Sequence, residues 1–236
     1  MTTTDHTTEP MDTPPETTVP VPAMVHLGVL DADRAMRFFG ALFDWEGERA
    51  EWQGHVRHYM VNTTGPRPVL TDERDAPAVR LGFAVPHVGT AVHMVEAGGG
   101  NIGETGRIGD DDGWAFADDG QGIDVVVWKP GRSYPHGPAT KAAKARIEWI
   151  EVFVPDVERA VTFFRSAVGW EPNDCIESSE PRVKLYFTVD DLSAMVGEVR
   201  ERGGVAGEPY GIGPGTASDC TDDQGTRFSL WQEVGR

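Results

Sequence analysis

The chain has 236 residues with 39% hydrophobic side chains, enough for two small hydrophobic cores or one of medium size. It carries 38 acidic against 21 basic side chains, a formal net charge of −17, which repels nucleic-acid phosphate and anionic lipid and removes both as expected partners. Its two cysteines, Cys175 and Cys220, make no CxxC pair, and buried reduced thiols are the expectation for a cytoplasmic protein.

Residues 1–22 are Thr, Pro, Asp and Glu with almost nothing apolar, so they cannot bury enough surface to offset the entropy of ordering, and a disordered tail is expected there. They hold neither the basic nor the apolar region of a secretory signal, and no later apolar run is long enough to span a bilayer. A cytoplasmic location follows as the expectation. The first strand pattern, Met24–Val29, alternates Val25, Leu27 and Val29 on one face with Met24, His26 and Gly28 on the other. It runs into Asp31–Glu46 (DADRAMRFFGALFDWE), where Ala35, Phe38, Phe39 and Leu42 make one apolar helical stripe behind an Asp suited to capping the first turn.

After Trp45 come 34 residues before Arg80, room for three short strands, one of them His55–Val61. A strand around Leu81, Phe83 and Val85 presents Arg80, Gly82 and Ala84 on its other face. A second helix with Val88, Ala91, Val92 and Val95 stops at Gly98, Gly99 and Gly100, and three more short strands end at Trp128. Lys129–Ala145 is rich in Pro, Gly, Ala and Lys and reads as a linker.

The plan then repeats. Asp156–Glu171 (DVERAVTFFRSAVGWE) matches the first helix at an offset of 125, the second helix recurs with Leu192, Met195, Val196 and Val199 at 104, and the turn and strand at Asp119–Trp128 recur at Asp222–Trp231 at 103. Only 13 residues separate Trp170 from Lys184, and the shortfall of 21 equals the drop in offset, so a hairpin is expected to be missing there. The predicted fold class is α+β: paired βαβββ modules in tandem, with domains at 23–128 and 146–236 joined by the linker 129–145 and the second domain truncated in its first module.

Paired βαβββ modules, an Asp-capped helix with Phe-Phe and a trailing Gly-Trp, a second helix ending in Gly-Gly and a final D-x-x-G turn resemble the vicinal oxygen chelate superfamily. That superfamily includes glyoxalase I, the bleomycin-resistance proteins and extradiol dioxygenases. The resemblance covers about Met24 to Trp231 apart from the linker, and the Trp149-x-Glu151 and Trp231-Gln232 pieces are similar to tandem glyoxalase-like proteins. It implies metal ligands at set positions, which in this chain hold Met24, Arg80 and Val126 in the first domain and Trp149, Lys184 and Ser229 in the second. None is His, Asp or Glu, so no metal and no other cofactor is expected.

The faces opposite the helices are the expected cavity walls. They carry Met24, His26, Arg80, Val126 and Trp128 in the first domain, with His26 and Arg80 as candidate catalytic residues. Trp149, Glu151, Lys184, Tyr186 and Trp231 are the second domain's candidate ligand-binding set, with Glu151 expected to pair with Lys184 across the sheet. His55 and His58, three apart on a strand, face opposite ways and cannot chelate together.

The resulting expectation is metal-independent binding of a bulky organic metabolite or antibiotic in the first cavity, as in the bleomycin-resistance members. The alternatives are a metal-independent isomerase, cyclase or lyase using His26 and Arg80, and a metal-dependent glyoxalase or dioxygenase-type enzyme. The expected partner is a small molecule, for a monomer or homodimer.

Overall fold

A computed structural model describes residues 22–52, 54–73, 78–107, 113–130, 142–172 and 175–235. All but the last residue of the expected tail, and 131–141 of the expected linker, lie outside them.

The first sheet is built from β1 (Met24–Val29), β2 (Gly47–Trp52), β3 (His55–Met60), β4 (Arg67–Asp72), β5 (Val79–Ala84), β6 (Asn101–Gly106), β7 (Trp114–Asp118) and β8 (Asp124–Trp128), with α1 (Ala32–Phe43) and α2 (Val88–Ala97) as crossovers. Its order is β2-β3-β4-β1-β5-β8-β7-β6. In each half a helix carries the chain from the first strand to a meander whose last strand returns parallel to it, β4 beside β1 and β8 beside β5. The halves join through the antiparallel β1/β5 pair, which sets His26 opposite Arg80 and Met24 opposite Gly82.

The second sheet contains β9 (Arg146–Val154), β10 (Ile176–Ser178), β11 (Arg182–Thr188), β12 (Val205–Ala206), β13 (Tyr210–Ile212), β14 (Gly215–Thr221) and β15 (Arg227–Glu233), with α3 (Val157–Val168) and α4 (Leu192–Glu201). Its order is β10-β9-β11-β15-β14-β12, with β13 beside β14. Because β10 runs parallel to β9, as β4 does to β1, it is the last strand of its module. The two strands missing before it correspond to β2 and β3, which is the hairpin that the 21-residue shortfall removes.

Three helices begin as their first residues dictate: the carboxylates of Asp31, Asp156 and Asp191 accept the backbone N–H groups of Arg34, Arg159 and Ala194 at 2.8, 3.0 and 2.9 Å. The repeated helices end differently, since α3 closes on Gly169 at φ +69° whereas α1 closes on Asp44, a side-chain-bearing residue at φ +56°.

The helices form one layer shared by both sheets. Phe39 and Phe43 of α1 pack on Phe228 and Phe187 of the second sheet with ring centroids 5.3 and 5.1 Å apart, and Phe83 of the first sheet packs on Phe164 of α3 at 6.1 Å. A single buried cluster therefore runs from the inner face of one sheet, through all four helices, to the inner face of the other. Among the described residues no helix is long and apolar enough to cross a membrane.

Candidate functional site

With the helix-side faces committed to this core, the residues of opposite parity line the outer, concave faces. On the first sheet strand pairing lays them out in rows. Tyr59, Val69, His26, Arg80 and Asp124 run side by side across β3, β4, β1, β5 and β8, and Arg57, Thr71 and Gly28 form the adjoining row. Met24, Val69, Trp114 and Trp128 are buried against one another with Trp52, Tyr59 and Phe116 packed onto them. The ring centroids of Trp52, Trp114 and Phe116 lie 4.7 to 6.2 Å apart and make an aromatic wall. Gly82 is required beneath it, since a Cβ there would meet the Trp128 ring and the Met24 side chain, each at 3.0 Å.

The polar groups of this face differ sharply in how they are satisfied. Arg80 donates to the Glu73 carboxylate at 3.0 Å, lies 3.8 Å from that of Asp124, and has its guanidinium 4.6 Å from the centre of the Phe116 ring. Glu73 reaches it by crossing Gly28, where a Cβ would come within 2.5 Å of the carboxylate oxygen. Burial pushes the Asp124 carboxyl up, against the opposing pull of Arg80.

His26 is 3% exposed and neither ring nitrogen has a hydrogen-bond partner among the described residues. Burial, reinforced by the positive charges of Arg57 and Arg80, pushes its pKa down to about 3, so the imidazole is neutral. Arg57, 8% exposed, lies 4.2 Å over the Trp52 ring. Its Nε, like the Thr71 hydroxyl beside it, is buried and has no hydrogen-bond partner among the described residues.

The second concave face is closed by its own side chains. Tyr186 stands where Gly82 stands in the first sheet; its ring stacks on Trp149 with centroids 5.0 Å apart and its hydroxyl donates to Glu151 at 2.8 Å. Burial and then this hydrogen bond push the phenol well above its usual range. The expected Glu151–Lys184 pair does not form, although the two are register partners. Lys184 instead reaches the Asp219 carboxylate at 2.9 Å and the Tyr210 hydroxyl at 2.7 Å, while Glu151 accepts from Tyr186. Asp219 also accepts from Ser229 at 2.7 Å and Tyr210 at 2.9 Å; burial raises its pKa, but these hydrogen bonds win and hold it low. Trp231 packs with Tyr186 and Ala217 in the same cluster.

A groove of about 810 Å³ opens where the starts of β5, β8, β11 and β15 approach. It excludes the aromatic wall of the first face; Lys184 and Asp219 on its lining are paired with each other, and Arg182 and Arg227 face solvent.

The structure thus brings Met24, His26, Arg80, Val126 and Trp128 to one face, and Trp149, Glu151, Lys184, Tyr186 and Trp231 to the other. Sequence reasoning missed Arg57, Thr71 and the wall residues Trp52, Trp114 and Phe116. Arg57 was within reach: it shares parity with Tyr59 in His55–Val61. His55 and His58 do face apart, His55 meeting the Asp72 carbonyl at 2.8 Å and His58 the Asp33 carboxylate of the helix side at 2.7 Å.

This architecture, two curled mixed sheets each made of paired modules, is the vicinal oxygen chelate superfamily fold. The chain superposes on 2,3-dioxygenase LapB from Pseudomonas sp. KL28 with a TM-score of 0.63 at 11% identity, covering 89% of this chain and 91% of that one. Against a mutant of 4-hydroxymandelate synthase from Streptomyces coelicolor the TM-score is 0.61 at 12% identity, covering 92% and 93%. The Mn(II)-bound glyoxalase from Novosphingobium aromaticivorans gives 0.57 at 16%, covering 90% and 81%. In sequence the chain is 24% identical to the anthracycline biosynthesis protein DauV of Streptomyces sp. (strain C5) over 260 aligned positions, covering 89% of this chain and 92% of that protein. No protein-family model matches.

The donor set does not fit the divalent metal that this fold carries in the Mn(II)-bound glyoxalase. At the expected ligand positions Met24 offers a thioether, Val126 no donor and Arg80 a positive charge, and among the described residues no three His, Cys, Asp or Glu side chains converge.

Proposed function

We propose that the protein binds a bulky, planar secondary metabolite on the concave face of the first sheet and holds it by side chains without a divalent metal, in a sequestration or resistance role. One observation carries the reading. His26, Thr71 and the Nε of Arg57 are buried and without hydrogen-bond partners among the described residues, at the foot of an aromatic wall, where polar groups are ordinarily satisfied. The similarity to an anthracycline biosynthesis protein supports an aromatic polyketide as the ligand class.

The isomerase, cyclase or lyase alternative asks His26 to move a proton near neutral pH. An imidazole held at about 3 is a feeble base there, and Arg80 is already engaged by Glu73, which favours binding over turnover.

The test is calorimetric titration with an anthracycline, followed by recovery of the ligand. Saturable one-to-one binding with intact ligand is expected, and Trp52→Leu should weaken it about tenfold, roughly 1.4 kcal/mol. Absence of saturation would overturn the binding reading, and conversion of the ligand that disappears in His26→Gln would replace it with the enzymatic one.

A further inference from the structure

We infer that the first concave face selects an anionic oxygen, a carboxylate or ionised phenol on a planar aromatic ligand, and that Arg57 is the group that receives it, with His26 and Thr71 as neutral hydrogen-bonding flanks. The inference rests on the reading above and names the chemistry of the ligand.

The argument begins with charge. A guanidinium does not deprotonate in proteins, so a buried arginine stays charged and needs an anion beside it. Arg80 and Lys184 follow that rule: Arg80 has Glu73 at 3.0 Å, and Lys184 has Asp219 at 2.9 Å. Arg57 is more buried than either, yet among the described residues it has no carboxylate partner and its Nε has no acceptor. Beside it lie the Trp52 ring at 4.2 Å and the neutral His26, whose ring nitrogens have no hydrogen-bond partner among the described residues.

Geometry narrows the ligand further. The Arg57 guanidinium lies 4.2 Å from the centre of the Trp52 ring, so its charge sits directly beside the aromatic wall, where a guanidinium can take a carboxylate or phenolate oxygen. A flat acid lying against the aromatic wall brings its rings to these side chains and its anionic oxygen to Arg57 together. The rest of the molecule opposes adventitious anions, since a net charge of −17 repels them at long range, so an anion held here is held by local contacts. A buried charge with no partner also destabilises the free protein, so removing it should cost the fold nothing.

The experiment titrates the full chain with anthraquinone-2-carboxylate and with its neutral carboxamide, then repeats both on Arg57→Gln and Arg57→Lys. The wild type should bind the carboxylate at least tenfold more tightly. Arg57→Gln should erase that preference while leaving carboxamide affinity within about threefold, and Arg57→Lys should restore only part of it. Without ligand, Arg57→Gln should melt no lower than the wild type. Equal wild-type affinities, a preference that survives in Arg57→Gln, or neither probe binding while an anthracycline does, would each overturn the inference and leave the metabolite-binding reading standing. Failure of the wild type to bind either probe or an anthracycline would overturn both. Should Arg57→Gln fail to fold, Arg57→Lys decides: a reduced carboxylate preference supports Arg57 as the receiving group, and an unchanged one overturns it.

Discussion

Gly82 of the first sheet and Tyr186 of the second occupy equivalent places, as do Arg80 and Lys184, His26 and Glu151, and Phe116 and Asp219. In the second sheet the added tyrosine fills the space against Trp149 and binds Glu151, while Asp219 and Tyr210 absorb Lys184. In the first sheet glycine leaves that space to Trp128, and among the described residues both ring nitrogens of His26 and the Nε of Arg57 remain without hydrogen-bond partners. The loss of the hairpin before β10 accompanies this difference: a face deprived of two wall strands is plugged by its own side chains, whereas the face that keeps β2 and β3 keeps Trp52 and Arg57 on them. Two copies of one fold thus differ, through a handful of side chains, in whether the polar groups of the outer face are satisfied from within.

The comparison is broken most directly at its plug. Tyr186→Ala should destabilise the protein by about 3–5 kcal/mol in urea unfolding, through lost ring packing and a stranded Glu151, yet change the affinity of the first face for a planar acid less than threefold. A tenfold loss of affinity would move the site to the second sheet.

The next largest effect sharpens the first face. The His26 pKa is depressed in the folded protein from 6.5 to about 3, so between those values the unfolded chain binds a proton that the folded one does not. Its stabilising contribution is therefore complete above 6.5 and declines as pH falls toward 3, by about 1.4 kcal/mol per pH unit. Urea unfolding at pH 7, 5 and 4 should show the wild type losing stability faster than His26→Gln. Parallel declines would mean that His26 is solvated.

These effects depend on groups that were unequally visible in the sequence. Period-two alternation placed His26 and Arg80 in one cavity, the β1/β5 register then set them opposite each other, and a difference between two offsets located the missing hairpin. Glu73 escaped because it lies past the end of β4 and reaches Arg80 only by crossing a glycine, a contact that no periodicity encodes. Lys184 faces Glu151 in register yet pairs with Asp219, a residue two strands away whose approach no periodicity encodes. Arg57 shares the parity of Tyr59, but the alternation around it is weak: the flanking His58 is polar although it is tied to the helix side, and His55, two residues earlier, is exposed.

The smallest expected effect compares the repeated helices. Asp44 takes at φ +56° the role that Gly169 fills at +69°, so Asp44→Gly should raise the melting stability by up to about 1 kcal/mol, less whatever its 3.5 Å contact with Lys144 contributes. A loss of stability would mean that this contact outweighs the backbone strain.

The shared helical layer makes the duplication irreversible in a mechanical sense. Phe39 and Phe43 belong to the first half of the chain by sequence and rest on the second half's Phe187 and Phe228, while Phe83 rests on Phe164 in the other direction. Neither half owns a finished interior, so severing the chain between Trp128 and Arg146 would expose a broad aromatic surface on both pieces, and the intact chain should melt as one cooperative unit. The two outer faces are by contrast mechanically independent, each free to acquire new chemistry while the aromatic hinge between them stays as it is.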